Sequence, residues 1–283
     1  MCYHKEKLTG IGGKIMVNLN EKKGFICDMD GVIYHGERIL PGVTEFVDWL
    51  QSSNKEFLFL TNASSRSPKE LHMRLARMGL DVDESHFYTS AQATAQFLNS
   101  QAPGCSAYVV GDPGLYNALY EVGITTNDIN PDYVVIGETV NYNFDTIKKA
   151  MRHVMNGARL IGTNTDLTGP SEHGILPACR ALVSPIEMTT GQSAYFVGKP
   201  NPLMMRTGLK LLGVHSGEAC MVGDRMDTDV IAGIETGMTS ILVLTGVTSR
   251  DSIRKYPYRP TIVLDGVGDI PAMAREQLAA AGE

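Results

Sequence analysis

The chain has 283 residues, 43% of them hydrophobic and 20% charged, enough to bury a full core in one large or two ordinary domains. A formal net charge of −6 and a pI near 5.7 exclude a dedicated polyanion binder, which needs a basic face. No apolar run approaches the roughly 20 residues of a bilayer span, and the scattered cysteines at 2, 27, 105, 179 and 220 read as reduced, mostly buried thiols rather than a paired zinc motif.

Met1 to Asn20 lacks the apolar block of a secretory signal and, with its Gly12-Gly13 pair, reads as a loose extension outside the fold of a cytoplasmic protein. Strand-like apolar runs then alternate with helix-period segments, the pattern of an α/β fold around a mainly parallel sheet. The first run, Phe25 to Cys27, leads directly into Asp28-Met29-Asp30-Gly31-Val32. Residues two apart on a strand point to one face, so Asp28 and Asp30 can converge on a single ligand before Gly31 turns the chain away. Like charges so close need a cation, a proton or strong donors, and magnesium suits a carboxylate pair facing a phosphate. Capping of the next segment is the other use of such a pair.

The second run, Glu56 to Leu60, ends in Thr61-Asn62, small polar groups at a strand end where open α/β sheets place ligands. An ordinary turn uses the same residues as local backbone partners. Asn62-Ala63-Ser64 matches a glycosylation sequon by accident, given the missing secretory signal. Ser67-Pro68-Lys69-Glu70 is a capping box with proline at the first helical position, and Leu71, Leu75 and Met78 form the buried stripe of the helix that follows.

Further runs cover Ala107 to Val110, Asp132 to Ile136 and Ala158 to Ile161. This block, punctuated by Pro103-Gly104 and Gly191, has strands and helices of its own and separates the polar strand ends on either side of it. The spacing predicts an inserted cap over 101–193, a discontinuous core of 21–100 and 194–283, and an extension over 1–20. Tyr195 to Val197 leads into Gly198-Lys199-Pro200, so the ammonium of Lys199 stands at a strand end to hold phosphate, or lies solvated on the surface. Ala219 to Val222 ends in Gly223-Asp224, with Asp227 and Asp229 close behind, and Ser240 to Leu244 is the last run. One of these carboxylates can complete a metal sphere while another orients a bound water or Lys199. Asp227 reads as a helix N-cap that also compensates the helix dipole.

An acid pair, Thr-Asn, a lysine and an acid cluster, each at a strand end and in this order, resemble the haloacid dehalogenase superfamily. Cys27-Asp28-Met29-Asp30-Gly31-Val32-Ile33, Leu60-Thr61-Asn62, Phe87-Tyr88-Thr89-Ser90-Ala91, Val197-Gly198-Lys199-Pro200 and Val222-Gly223-Asp224 are similar to the NagD-type phosphatases. Pro131-Asp132, Ile136-Gly137-Glu138 and Asn164 with Asp166 extend the likeness, which runs over roughly residues 24 to 265. It implies a Rossmann-like core with an inserted α/β cap. It also implies a magnesium-dependent phosphatase of small phosphate monoesters, nucleoside 5'-monophosphates first, with sugar, glycerol or pyridoxal phosphates as alternatives. By the same likeness Asp28 would be the nucleophile and Asp30 the general acid/base. Magnesium would sit on the Asp28 carboxylate, the Asp30 backbone carbonyl and Asp224, with Asp229 in support. Thr61, Asn62 and Lys199, together with Asp30, would hold the phosphate. Loops around Glu138 to Phe144 and Asn164 to Ala178 would read the leaving group; Tyr142 and His173 could touch a substrate there, but such loop residues are more often packed or exposed and are given no role. Thr165 departs from the proline of many relatives, and Ala63-Ser64-Ser65-Arg66 is a further difference.

The partner implied is a small phosphorylated metabolite, not nucleic acid or membrane, and a homo-oligomer stays open. A phospho-receiver domain, a phosphate-ligand-binding protein and a phosphomutase use similar groups. The receiver is much shorter, a cap-sized insertion and Asp30 two residues after the nucleophile favour hydrolysis, and intact acids at 28, 30 and 224 argue against a catalytically silent binding protein. Asp28→Asn is expected to abolish turnover with the fold intact, because an amide keeps the shape but is a poor nucleophile. Asp30→Asn is expected to be nearly as damaging. Phosphate release beside a far-ultraviolet spectrum checks both, and retained activity in Asp28→Asn overturns the assignment.

Overall fold

A computed structural model describes residues 17–281 except 172–173. Residues 1–16, with Cys2, and His173 lie outside the described residues.

In chain order the strands are β1 (Gly24–Cys27), the hairpin β2 (Tyr34–His35) and β3 (Arg38–Ile39), β4 (Glu56–Thr61), β5 (Phe87–Thr89), β6 (Ser106–Val110), β7 (Thr125–Thr126), β8 (Tyr133–Ile136), β9 (Arg159–Gly162), the hairpin β10 (Thr168–Ser171) and β11 (Gly174–Pro177), β12 (Tyr195–Phe196), β13 (Ala219–Gly223), β14 (Thr239–Val243) and β15 (Ile262–Leu264). The α-helices are α1 (Val43–Ser52), α2 (Pro68–Arg77), α3 (Ser90–Gln101), α4 (Pro113–Glu121), α5 (Phe144–Met155), α6 (Cys179–Thr190), α7 (Pro202–Leu212), α8 (Ile231–Thr236) and α9 (Asp269–Ala281). None of the described helices is long and apolar enough to cross a membrane.

The strands form two parallel sheets. The first has the order β15-β14-β13-β1-β4-β5 and the second β12-β9-β8-β6-β7. Every residue of β1, β8 and β13 is buried, as a parallel sheet covered on both faces requires. On one face of the first sheet Phe25, Cys27, Phe57, Phe59 and Val222 pack against α1 and α9, where the Phe25 ring meets Trp49 edge-on at 5.4 Å. On the other face Ile26, Leu58, Leu60 and Met221 pack against Met204, Met205 and Leu209 of α7. That second cluster continues through Ala91 and Ala95 of α3 to Val109, Tyr133 and Val135, so one apolar seam joins both sheets.

Each strand expected from the sequence is present within one residue at either end. Tyr195–Phe196 pairs with β9, so the chain leaves the second sheet only three residues before Lys199. The short β5 and β15, the two-residue β7 and both hairpins were not among the strands expected, although Ile262–Leu264 is as long an apolar run as Phe25–Cys27. Residues 17–20, set aside with the extension, are packed instead: Leu19 is fully buried, its N–H donates to Gln277 Oε1 at 2.8 Å, and Asn20 Nδ2 donates to the Ala274 carbonyl at 2.9 Å. Cys27, Cys105, Cys179 and Cys220 are free and buried.

At the start of α2 the capping box is formed: the Ser67 N–H donates to Glu70 Oε2 at 2.7 Å and the Glu70 N–H to Ser67 Oγ at 3.3 Å. Leu71 and Leu75 are buried, and Met78 is the half-buried C-cap. Ser67→Ala is expected to cost about 1 kcal/mol, read as a lower urea midpoint; an unchanged midpoint would show that Glu70 alone sustains the cap.

Candidate active site

The first sheet reverses its order of growth at β1, which has β4 on one side and β13 on the other. Ligands bind at such switch points, outside the carboxyl ends of the strands. Here those ends deliver Asp28 after β1, Thr61 and Asn62 at β4, and Asp224 after β13. Lys199 arrives from the loop behind β12, and Asp229 lies in a π-turn, Met226–Val230, that follows Asp224.

Lys199 is 1% exposed, so the solvated-lysine reading is overturned. Its ammonium lies 2.6 Å from Asp28 Oδ1 and 2.8 Å from Asp229 Oδ1. Burial pushes the lysine pKa down, but the two carboxylates outweigh it and hold the group protonated, above its ordinary value. Asp229 Oδ2 accepts the Arg225 N–H at 3.1 Å, which fixes the carboxylate that orients the lysine.

Asp28, Asp224 and Asp229 can place one oxygen each within 4.8 Å of one another. Three acids facing one ammonium leave negative charge uncompensated. Asp224 Oδ2 accepts the Val247 N–H at 2.6 Å, whereas its Oδ1 is buried with no hydrogen-bond partner among the described residues. Burial, then the charges of Asp229 and Asp28, push the Asp224 carboxyl up to about 8. An orphaned oxygen, surplus charge and an all-oxygen donor set fit a hard divalent cation such as magnesium. Gly31 makes room for this arrangement. Its φ is +77°, and a Cβ there would stand 2.8 Å from Asp224 Oδ2.

Asp30 is half-exposed at the mouth, 3.9 Å from His35 Nδ1. Burial raises its pKa, against the opposing charges of His35 and Arg74. Thr61 Oγ1 accepts the Ala63 N–H at 3.1 Å, which leaves its hydroxyl proton free to donate to a ligand oxygen. The Asn62 side chain is already committed. Its Oδ1 accepts the Lys199 N–H at 2.7 Å, and its Nδ2 donates to the Lys199 carbonyl at 3.2 Å and to Asp166 Oδ2 at 3.0 Å.

Asp227 does not cap a helix. Arg225 occupies that position, Asp227 is the second residue inside the turn, and its carboxylate takes the Arg225 guanidinium through Nε at 3.2 Å and Nη2 at 3.1 Å. The sequence reading gave no role to Arg225, which also lies 3.7 Å from Asp166, nor to Ser90, whose Oγ donates to the Asn62 carbonyl at 2.5 Å. Ser90 stands in one of the quoted motifs, but nothing in the spacing reveals its target. Tyr142 is packed, donating to the Leu182 carbonyl.

Residues 25–125 match the haloacid dehalogenase-like hydrolase family model, and 196–270 match a second, HAD-hydrolase-like model. The chain is 45% identical to a dihydroxyacetone phosphatase of Corynebacterium glutamicum, over 87% of this chain and 90% of that one. It is 44% identical to the ribonucleotide monophosphatase NagD of Escherichia coli, over 88% and 98% respectively. Among solved structures it is similar to a 4-nitrophenylphosphatase of Thermotoga maritima, with a TM-score of 0.88 and 33% identity over 91% of this chain and 99% of that one.

A carboxyl whose pKa is raised on folding favours the protonated folded state, so metal-free stability should fall as pH rises from 3.8 to about 8 through Asp224. A divalent cation binds the ionised form and offsets this loss. Magnesium is therefore expected to raise Tm more at about pH 8 than at about pH 5.5, relative to chelator; equal increments would remove Asp224 from the binding set.

Proposed function

This chain belongs to the haloacid dehalogenase-like hydrolase family, and on that premise we propose that it is a magnesium-dependent phosphatase of small phosphate monoesters, working through an aspartyl phosphate. The observation that carries this reading is the buried Asp28–Lys199–Asp229 arrangement beside an Asp224 oxygen with no hydrogen-bond partner among the described residues.

In the proposed cycle an Asp28 oxygen attacks phosphorus. The bond to the ester oxygen breaks, and Asp30 gives its proton to that leaving oxygen. Water then attacks the phosphorus of the aspartyl phosphate, Asp30 takes the water proton, and cleavage of the Asp28–phosphate bond restores the acid and releases inorganic phosphate. Thr61 and Lys199 hold the transferring oxygens, where positioning and charge stabilisation supply most of the catalysis. Asn62 is read as serving through its hold on the Lys199 backbone. When bound, magnesium would be held by Asp28, the Asp30 carbonyl and Asp224, and would neutralise charge on the phosphate. Asp229 keeps Lys199 aimed at Asp28.

The second sheet with its helices is proposed as the cap that reads the leaving group in a cytoplasmic enzyme. Nucleoside 5'-monophosphates are the first substrates proposed, because the NagD relative is named for ribonucleotide monophosphates. Dihydroxyacetone phosphate is the second, because the 45%-identical relative is named for it. Phosphate release from nucleotides, dihydroxyacetone phosphate, sugar phosphates, pyridoxal phosphate and an aryl phosphate is expected only with magnesium, and chelator should abolish it. Release that chelator leaves unchanged would refute the metal, and no release from any ester would refute the phosphatase.

A further inference from the structure

Glu138 lies just beyond the end of β8, partly buried, and its carboxylate is occupied by the other sheet's loop. Oε2 accepts both the N–H of Ser64, at 2.9 Å, and the Ser64 hydroxyl. Oε1 accepts Asn164 Nδ2, from just beyond β9. In return the Glu138 N–H donates to Ser64 Oγ at 3.2 Å. Ser64 and Asn164 are fully buried. All the contacts to the carboxylate come from donors, which is what a carboxylate removed from water needs.

The contacts continue toward the candidate active site. Asn164 Nδ2 donates also to the Asn62 carbonyl at 2.7 Å, where Ser90 Oγ converges, and the Asn62 side chain holds Lys199 by its backbone N–H and carbonyl. Asp166 closes the circuit: its N–H donates to Asn164 Oδ1 at 3.0 Å and its Oδ2 accepts from Asn62. The approach is too close for a side chain at position 137, where a Cβ on Gly137 would stand 2.6 Å from Ser64 Oγ and 2.9 Å from Leu115 Cδ2.

We propose that Glu138 is a positioning residue for the phosphate site: by clamping Ser64 and Asn164 it fixes the 61–64 loop to the ends of β8 and β9, and so sets where Thr61 and Lys199 stand. This deepens, and rests on, the reading of Thr61 and Lys199 as the phosphate-holding groups. The clamp touches no leaving group. Its removal acts equally on every ester and on inorganic phosphate itself, because all of them share the same oxygen cradle.

Glu138→Ala leaves the two Ser64 donors without their acceptor and Asn164 Nδ2 with the Asn62 carbonyl alone, and the loop is free to shift. The test is calorimetric binding of inorganic phosphate in magnesium buffer, beside kcat/KM on AMP and on 4-nitrophenyl phosphate. Glu138→Ala is expected to weaken phosphate binding about tenfold or more and to lower kcat/KM on both esters by a common factor. Ser64→Ala removes only a hydroxyl and carries the same expectation if Glu138→Ala does not fold. The double variant is expected to be no worse than the weaker-binding single, since both break one link. Unchanged phosphate affinity with a lowered Tm would reduce Glu138 to a stability role and overturn the proposal, as would additive losses. A loss confined to one ester would overturn it too, by making Glu138 a leaving-group contact. A wild-type protein that hydrolyses no ester of the full panel, dihydroxyacetone phosphate included, yet binds phosphate in a way that Glu138→Ala weakens, would sink the phosphatase and keep the clamp.

Discussion

Everything at the strand ends is arranged around one buried ammonium. Lys199 sits between Asp28 and Asp229 at 1% exposure, and without it three carboxylates would face one another in a low-dielectric pocket. Such a group is stable only when its partners are held at contact distance, because removing one partner of a buried pair costs about 3–5 kcal/mol. The surroundings do that holding. Arg225 donates its backbone N–H to Asp229, Val247 donates to Asp224, and Asn62 grips Lys199 at both its N–H and its carbonyl. The surplus negative charge that remains is what makes the pocket receptive to a divalent cation.

The parallel sheet makes this convergence possible. Side-by-side parallel strands present all their carboxyl ends on one edge, so β4, β1 and β13, far apart in sequence, place their terminal polar residues within reach of one another. Burial of the strands on both faces fixes their register, since a one-residue slip would turn Phe25 and Cys27 into the layer filled by Ile26. The apolar core thus determines the direction in which Asp28 points.

Polar contacts also tie the second sheet to this edge. Asp166, Asn164 and Glu138 follow β9 and β8, yet their partners are Asn62 and Ser64 after β4 and Arg225 after β13. Together with the apolar seam that runs from Ile26 to Val135, they make the position of the second sheet felt at Lys199 through a short series of direct contacts. In the phosphatase proposed here, the module that reads the leaving group is therefore mechanically continuous with the loop that holds the phosphate.

Much of this was legible in the chain itself. The alternation of apolar runs identified the α/β class because buried parallel strands are continuous apolar stretches, and Asp28, Thr61, Lys199 and Asp224 announced themselves by standing at the ends of such runs. The capping box of α2 was readable because its donors and acceptors lie three residues apart. The chain did not disclose contacts between residues distant in sequence. That Lys199 is buried rather than solvated, that Asp227 serves Arg225 rather than a helix end, and that the Asn62 amide faces Lys199 and Asp166 depend on which loops the sheets bring together. The edge strands β5 and β15 escaped because each is only three residues long, too short for periodicity to separate a strand from an apolar turn, even though Ile262-Val263-Leu264 is apolar throughout. Local chemistry is written in neighbouring residues, whereas the partners of Glu138, Asn164 and Lys199 were decided only when packing brought separate strand ends to one edge.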